Sequence, residues 1–235
     1  MAVNPTVDGA GSRPWVLGLA AATLLGLVVR LWYLGWHDVP SQPGFLVNFD
    51  PIFYHRQANA VADGLGFIAP HLPGRQPSAG HPPLLVVVLA AASRLGLDTF
   101  EAHRVVTAVI GTAVVPVVGL LAGRLFGRMA CLVAAVVAAV HPQLWINDGL
   151  VMPEGLYALL VATALWAGVV AWDRPQRRLA VALGLLVGLA ALTRGEGVLL
   201  VPFLVAPLAL ASPSFSDRRE RGWFAGLAVL AVVVT

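Results

Sequence analysis

The chain has 235 residues, of which 58% are hydrophobic and only 11% are charged, and its mean hydropathy is +0.81. A soluble domain carries about 25% charged residues, so this chain has too little charge to cover a water-exposed surface. Every basic residue is Arg, and the net charge of +3 is spread over short clusters between apolar runs. This pattern indicates membrane topology and argues against a nucleic-acid partner. The single cysteine, Cys131, excludes an internal disulfide.

Long apolar runs predict an all-α integral membrane protein, because a membrane helix needs about 20 mostly apolar residues. The first run is too long for the apolar core of a secretory signal peptide, so we predict a retained span. A shorter run, 83–97, is predicted as a juxtamembrane helix. The predicted spans are 15–33, 105–121, 130–146, 155–172, 179–192, 198–211 and 223–235.

The Arg clusters orient these spans, because Arg-rich short loops favour the cytoplasm. Clusters at Arg13, at 124–128, at 174–178 and at 218–221 all become cytoplasmic if the N-terminus is cytoplasmic and 83–97 does not cross. If 83–97 did cross, the later clusters would lie outside. We therefore predict seven crossings, with the loop 37–82 and the turns 141–153 and 193–197 on the extracytoplasmic face.

The long outer loop contains a predicted amphipathic helix that starts at Asp50. Asp is a good N-cap and Pro51 suits the first helical turn. Tyr54 falls on the apolar face, His55 falls on the polar face, and Gly64 marks the end. We expect this helix to lie along the membrane surface. From local sequence alone, Asp50 is better explained as a helix cap than as a catalytic acid.

The other outer-face polar residues have similar alternatives. His81 precedes two prolines that hold it in extended backbone, and it is either a solvated loop residue or a site residue. Asp148 is a candidate turn residue or substrate contact. Glu154 stands in a first helical turn, where the dipole favours a carboxylate, but it could equally bind substrate.

Arg194 and Glu196 lie in a tight turn between two apolar helices, on the predicted outer face. Charges at a membrane boundary are costly unless they are paired or used. The two residues could form an ion pair, or Arg194 could extend to the interface. Alternatively, Arg194 binds an anion such as a lipid phosphate, which Arg contacts bidentately.

Six segments together resemble the GT-C glycosyltransferases, in particular the family 39 and aminoarabinose-transferase-like enzymes that use polyprenyl-phosphate sugars. The resemblance covers residues 15–211, and each motif alone is weak, whereas their ordered set is fairly specific. The segments are 49–55 (FDPIFYH), 62–67 (ADGLGF), 81–84 (HPPL), 124–128 (RLFGR), 153–157 (PEGLY) and 192–197 (LTRGEG). It implies a GT-C-type bundle, a single transmembrane module over 1–235, with a long first extracytoplasmic loop that contains amphipathic juxtamembrane helices.

The resemblance also implies an activity. A sugar would move with inversion from a polyprenyl phosphate to a protein, lipid or glycan acceptor outside the cytoplasm, with Asp50 as general base and Glu154 as a second catalytic residue. The implied substrate-binding residues are Tyr54, His55, His81, Asp148, Arg194 and Glu196. The resemblance leaves the cofactor open. A divalent metal ion could bind through Asp50, His81 and Glu154, but the sequence has no ligand spacing that argues for one.

Two departures and two alternatives stand beside this interpretation. The family usually has an Asp-Glu or Asp-Gly pair where this chain has Asp50-Pro51, and usually has Pro where Gly195 stands. A non-catalytic GT-C relative or assembly subunit is therefore the main alternative. A transporter is less favoured because the predicted spans contain few charges. The chain stops at Thr235 within an apolar run, so we expect the natural protein to continue.

Overall fold

A computed structural model describes residues 12–36, 50–70, 72, 74–78, 80–215 and 217–235. Over these residues the secondary structure is helical, apart from one isolated antiparallel bridge between Ile68 and Pro77. The predicted all-α membrane fold is therefore confirmed. Residues 37–49 of the predicted outer loop lie outside the described residues.

Ten α-helices are described. They are α1 (Ser12–Trp36), α2 (Asp50–Ala62), α3 (Pro83–Arg94), α4 (Phe100–Thr112), α5 (Val114–Phe126), α6 (Arg128–Val140), α7 (Glu154–Asp173), α8 (Arg177–Thr193), α9 (Ala206–Ala211) and α10 (Arg218–Val234). Short 3₁₀ turns at Pro142–Leu144, Asp148–Leu150 and Gly195–Leu199 and a π-helical turn at Val201–Val205 connect some of them.

Three helices in the described part of the chain are long and apolar enough to cross a membrane: Pro14–Trp36, Phe100–Phe126 and Glu154–Asp173. Each contains or nearly coincides with a predicted span. Helix α3 has 12 residues and is about 18 Å long, which is shorter than the roughly 30 Å hydrocarbon core. The number of crossings and their orientation remain predictions.

Proline accounts for three departures from the predicted spans. Pro116 has no N–H to donate to the carbonyl of Thr112, and its ring clashes with that carbonyl. The helix that begins at Phe100 is therefore interrupted at Ala113. The predicted span 130–146 is helical only to Val140, because Pro142 begins a 3₁₀ turn. Pro202 lies in the π-helical turn that divides the predicted span 198–211.

The chain divides into two compact units, Met1–Ala158 and Leu159–Thr235, with the boundary inside α7. In the first unit, α2 packs on α3, α1 packs on α4 and α6, and α5 packs on α6. One apolar cluster joins α2 and α3 to the start of α4 and to the segment before α7. Its buried residues are Ile52, Tyr54, Ala58, Leu85, Val86, Leu89, Ala90, Phe100 and Val151.

The second unit is built around α8 and α10, which pack along each other. Gly184 on α8 permits this approach, since an added Cβ would collide with the backbone carbonyl of Ala228 on α10. The buried core around this contact includes Leu183, Val187 and Phe224. The Arg194–Glu196 turn belongs to this unit.

Candidate active site

The candidate site begins with Asp50, the first residue of α2. Its side chain is 60% exposed, and its Oδ1 lies 3.1 Å from Nε2 of His81. The N-terminal end of a helix dipole favours a carboxylate. Asp50 is therefore an accessible acid with one oxygen held by a neighbouring imidazole.

His81 is held in this position by aromatic rings and by prolines. The ring centroid of Phe53 lies 4.3 Å from that of His81. The ring of Tyr54 packs edge-on against His81, with a centroid distance of 4.9 Å. Pro82 is extended, with φ −57° and ψ 138°, and Pro83 begins α3. Because α2 and α3 share one apolar core, the Asp50–His81 contact rests on rigid elements. Nδ1 of His81 is buried and has no hydrogen-bond partner among the described residues.

Two of the predicted substrate-binding residues on α2 have interior contacts. Tyr54 is only 2% exposed and packs in the α2–α3 cluster. Nδ1 of His55 lies 3.1 Å from Nδ1 of His103, and its ring packs edge-on against Phe100. Burial, followed by the charge of Arg56, lowers the pKa of His55, against smaller opposing effects of acids. His55 is thus oriented by a second histidine that the sequence reasoning did not single out.

Glu154 and Asp148 lie on the segment that leads into α7. Glu154 is in the first turn of α7 and is half-buried. Val151 and Leu156, on either side of it, pack against the cluster that contains Ile52 and Tyr54. The segment that carries Glu154 is therefore packed against the helix that carries Asp50.

Asp148 is buried in an ion pair rather than grouped with Asp50. Its side chain is 2% exposed, and its Oδ2 lies 2.7 Å from Nε of Arg30. Burial raises the pKa of the Asp148 carboxyl to about 7, while the charge of Arg30 and its hydrogen bond oppose that rise. Arg30 was not identified as a candidate from the sequence, although an Arg within an apolar span is a recognised signal of a functional or paired charge.

Arg194 and Glu196 contact each other in the second unit, with Nη2 of Arg194 3.4 Å from Oε1 of Glu196. This is the ion pair that the sequence allowed as an alternative. The side chains are 36% and 60% exposed, so the pair leaves Arg194 accessible to an anion. A hydrogen bond from its own backbone N–H, followed by the hydrogen bond and the charge of Arg194, lowers the pKa of Glu196.

No three His, Cys, Asp or Glu side chains within the described ranges are close enough together to hold a metal ion. Asp50, His81 and Glu154 therefore do not form a ready metal site in this structure.

Comparison with known proteins identifies the family. A family model described as dolichyl-phosphate-mannose-protein mannosyltransferase matches residues 80–235, which is more than half of the chain. His81, Glu154 and Arg194 lie within the matched residues, whereas Asp50 precedes them. No curated protein and no solved structure matches the chain. The match and the apolar helices agree on one conclusion: the chain belongs to this family of membrane glycosyltransferases of the GT-C type.

Proposed function

We propose that the protein transfers a sugar, with inversion, from a polyprenyl-phosphate donor to an acceptor on the extracytoplasmic face, with Asp50 as the general base. The observation that carries this proposal is the exposed Asp50 carboxylate held at 3.1 Å by His81. The family supports a lipid-linked sugar donor in general terms. The acceptor would be a protein, a lipid or a glycan.

One base is enough for this reaction, because the phosphate is already a good leaving group. The acceptor hydroxyl or amine attacks the anomeric carbon from the face opposite the phosphate. Its proton passes to the Asp50 carboxylate, the bond from the anomeric carbon to the phosphate oxygen breaks, and the electron pair leaves with the lipid phosphate. A positioned base of this kind contributes about 10²–10⁴-fold in rate.

The contact between His81 and Asp50 supports different roles for the two oxygens of the Asp50 carboxylate. An Nε2–H of His81 donates to Oδ1 and fixes the plane of the carboxylate, so that Oδ2 can receive the proton. Phe53 and Tyr54 hold the imidazole, and apolar and aromatic surfaces of this kind suit a sugar ring. Glu154 is proposed to bind the sugar or acceptor. Within the second unit, Arg194 is proposed to bind an anion such as a lipid phosphate.

The test replaces Asp50 with Asn in the longest natural form of the protein. Asn caps a helix about as well as Asp, so Asp50→Asn removes the base without removing a cap. The matched control is Asp63→Asn, an exposed Asp just after the end of the same helix. Sugar transfer from extracted polyprenyl-phosphate sugars is measured together with yield and thermal stability.

We expect Asp50→Asn to lose transfer by at least about 100-fold at unchanged stability, while Asp63→Asn retains it. Proton NMR of the product gives the anomeric configuration and hence tests inversion. Full transfer by Asp50→Asn would remove Asp50 from the mechanism. If the wild-type protein transfers no sugar from any donor in the extract, the non-catalytic alternative gains support.

A further inference from the structure

A buried Arg in the first membrane helix donates hydrogen bonds to the segment that leads to Glu154. Arg30 is 1% exposed, and all three of its guanidinium nitrogens donate hydrogen bonds. Nε donates to Asp148 Oδ2 at 2.7 Å, and Nη1 donates to the carbonyl of Gly26 in its own helix at 3.1 Å. Nη2 donates to the carbonyls of Gly111 and Leu144, at 3.1 and 2.7 Å. Arg30 thus joins α1 to α4 and to the loop between α6 and α7.

The carboxylate of Asp148 is held from two further sides. A Cβ added to Gly111 on α4, or to Gly155 on α7, would collide with the Asp148 carboxylate. The two glycines therefore let α4 and the first turn of α7 close on it. Gly155 directly follows Glu154, so the position of Asp148 and that of the Glu154 backbone are coupled through direct packing.

Backbone contacts fix the same segment. Thr107 on α4 donates to the carbonyl of Asp148, and Arg104 on α4 donates to the carbonyl of Gly149 at 2.7 Å. Val151 adopts a left-handed conformation, with φ 57° and ψ 51°, and is completely buried. Such a conformation is costly for a β-branched residue and persists only where the surroundings impose it.

We propose that Arg30 and Asp148 are positioning residues: their buried ion pair fixes the backbone of residues 148–154 and so holds the Glu154 carboxylate in place. The role of Glu154 in sugar transfer rests on the proposed function, whereas the mechanical coupling does not. A polar group that is displaced by about 1 Å from a productive geometry can cost about 100-fold in rate. The pair therefore acts on the reaction from a distance, without contacting the substrate.

The first experiment follows the position of residue 154 without any activity measurement. In the longest natural form, every cysteine, including Cys131, is replaced by Ala, and Glu154→Cys supplies a reporter thiol. Its rate of modification by a charged methanethiosulfonate reagent is compared with and without Arg30→Met. The control is Val115→Ala, which opens a fully buried apolar site on α5 and removes neither a donor nor an acceptor of these hydrogen bonds.

We expect Arg30→Met to raise the modification rate by at least about tenfold, because the segment opens locally, and Val115→Ala to change it by less than about threefold. An equal rate with and without Arg30→Met overturns the proposal. If Arg30→Met does not yield folded protein, Asp148→Asn takes its place, with the same expectation and the same contrary result.

The second experiment separates positioning from general destabilisation by transfer kinetics. At matched loss of thermal stability, we expect Arg30→Met to lower kcat by about 10–100-fold with little change in KM. Val115→Ala should keep kcat within about threefold, and Arg30→Lys should recover part of the loss. A kcat for Arg30→Met equal to that of Val115→Ala overturns the proposal. If the wild-type protein shows no transfer, the proposed function fails, and the thiol experiment alone decides the inference.

Discussion

The Arg30–Asp148 pair makes a quantitative prediction about stability. Both side chains are almost completely buried, at 1% and 2% exposed, so neither charge is compensated by water. Removing one partner of such a pair costs about 3–5 kcal/mol, because the other charge stays buried without its counter-charge. For a chain of this length, 1 kcal/mol shifts Tm by about 2–4 °C. Arg30→Met is therefore expected to lower Tm by about 6–20 °C.

The size of this loss should depend on pH. Burial raises the pKa of Asp148 from 3.8 to about 7, so the folded protein binds this proton more tightly than the unfolded chain does. The corresponding stability is fully present below pH 3.8 and is lost as pH rises through about 7. Without Arg30, the effect that opposes the rise is removed and the pKa of Asp148 moves higher still. The Tm difference between wild type and Arg30→Met should then widen from pH 6 to pH 9.

The assay is thermal unfolding in one detergent at constant ionic strength, over that pH range. The double variant Arg30→Met with Asp148→Asn is the comparison, because Asn is isosteric and cannot ionise. We expect its Tm to recover at pH 9 relative to Arg30→Met alone and to vary little with pH. A Tm loss in Arg30→Met below about 2 °C, or one that is constant from pH 6 to pH 9, would refute the buried ion pair.

Three further predictions follow from single contacts. His81→Ala should lower the transfer rate by about tenfold or more through misorientation of the neighbouring carboxylate, and His81→Gln should retain part of it. Gly111→Ala should destabilise the protein strongly, because its Cβ would collide with Asp148, whereas Gly226→Ala, which meets nothing within 4 Å, should leave Tm unchanged or raise it. Because the folded pKa of His55 is lowered, its stability contribution is present above about pH 6.5 and lost as pH falls. The Tm of the wild type relative to that of His55→Gln should therefore fall between pH 7 and pH 5.

Local sequence signals located the helix of the candidate site well. The predicted start at Asp50 agrees with α2, and the predicted end at glycine agrees with a helix that stops at Ala62, just before Gly64 at φ 80°. These signals succeed because an Asp-Pro start and a glycine stop act through backbone geometry within one or two turns. The same local reasoning nominated His81 through its prolines, but it could not show that the imidazole reaches Asp50.

Long-range polar contacts were the part that local reasoning missed. The predicted span began at 105, after His103 and Arg104, yet the helix begins at Phe100 and both residues are buried. His103 contacts His55 and Ser93, and Arg104 donates to the carbonyl of Gly149. A polar residue can be buried in a helix when a partner elsewhere in the chain satisfies it, and no local pattern records where that partner is.

Arg30 is the clearest case of a buried polar residue whose partner is distant in the sequence. It lies within the first predicted span, and its partner Asp148 is 118 positions away. The expectation that the spans contain few charges gave Arg30 no role, although burying a guanidinium in an apolar span is tolerated only when acceptors surround it. The sequence of the first helix alone predicts that Arg30 needs a partner. The acidic residues of the predicted outer turns were the candidates for that partner. The choice of Asp148 depends on the glycines at 111 and 155, whose missing side chains make room for its carboxylate, and those contacts cannot be read from the first helix.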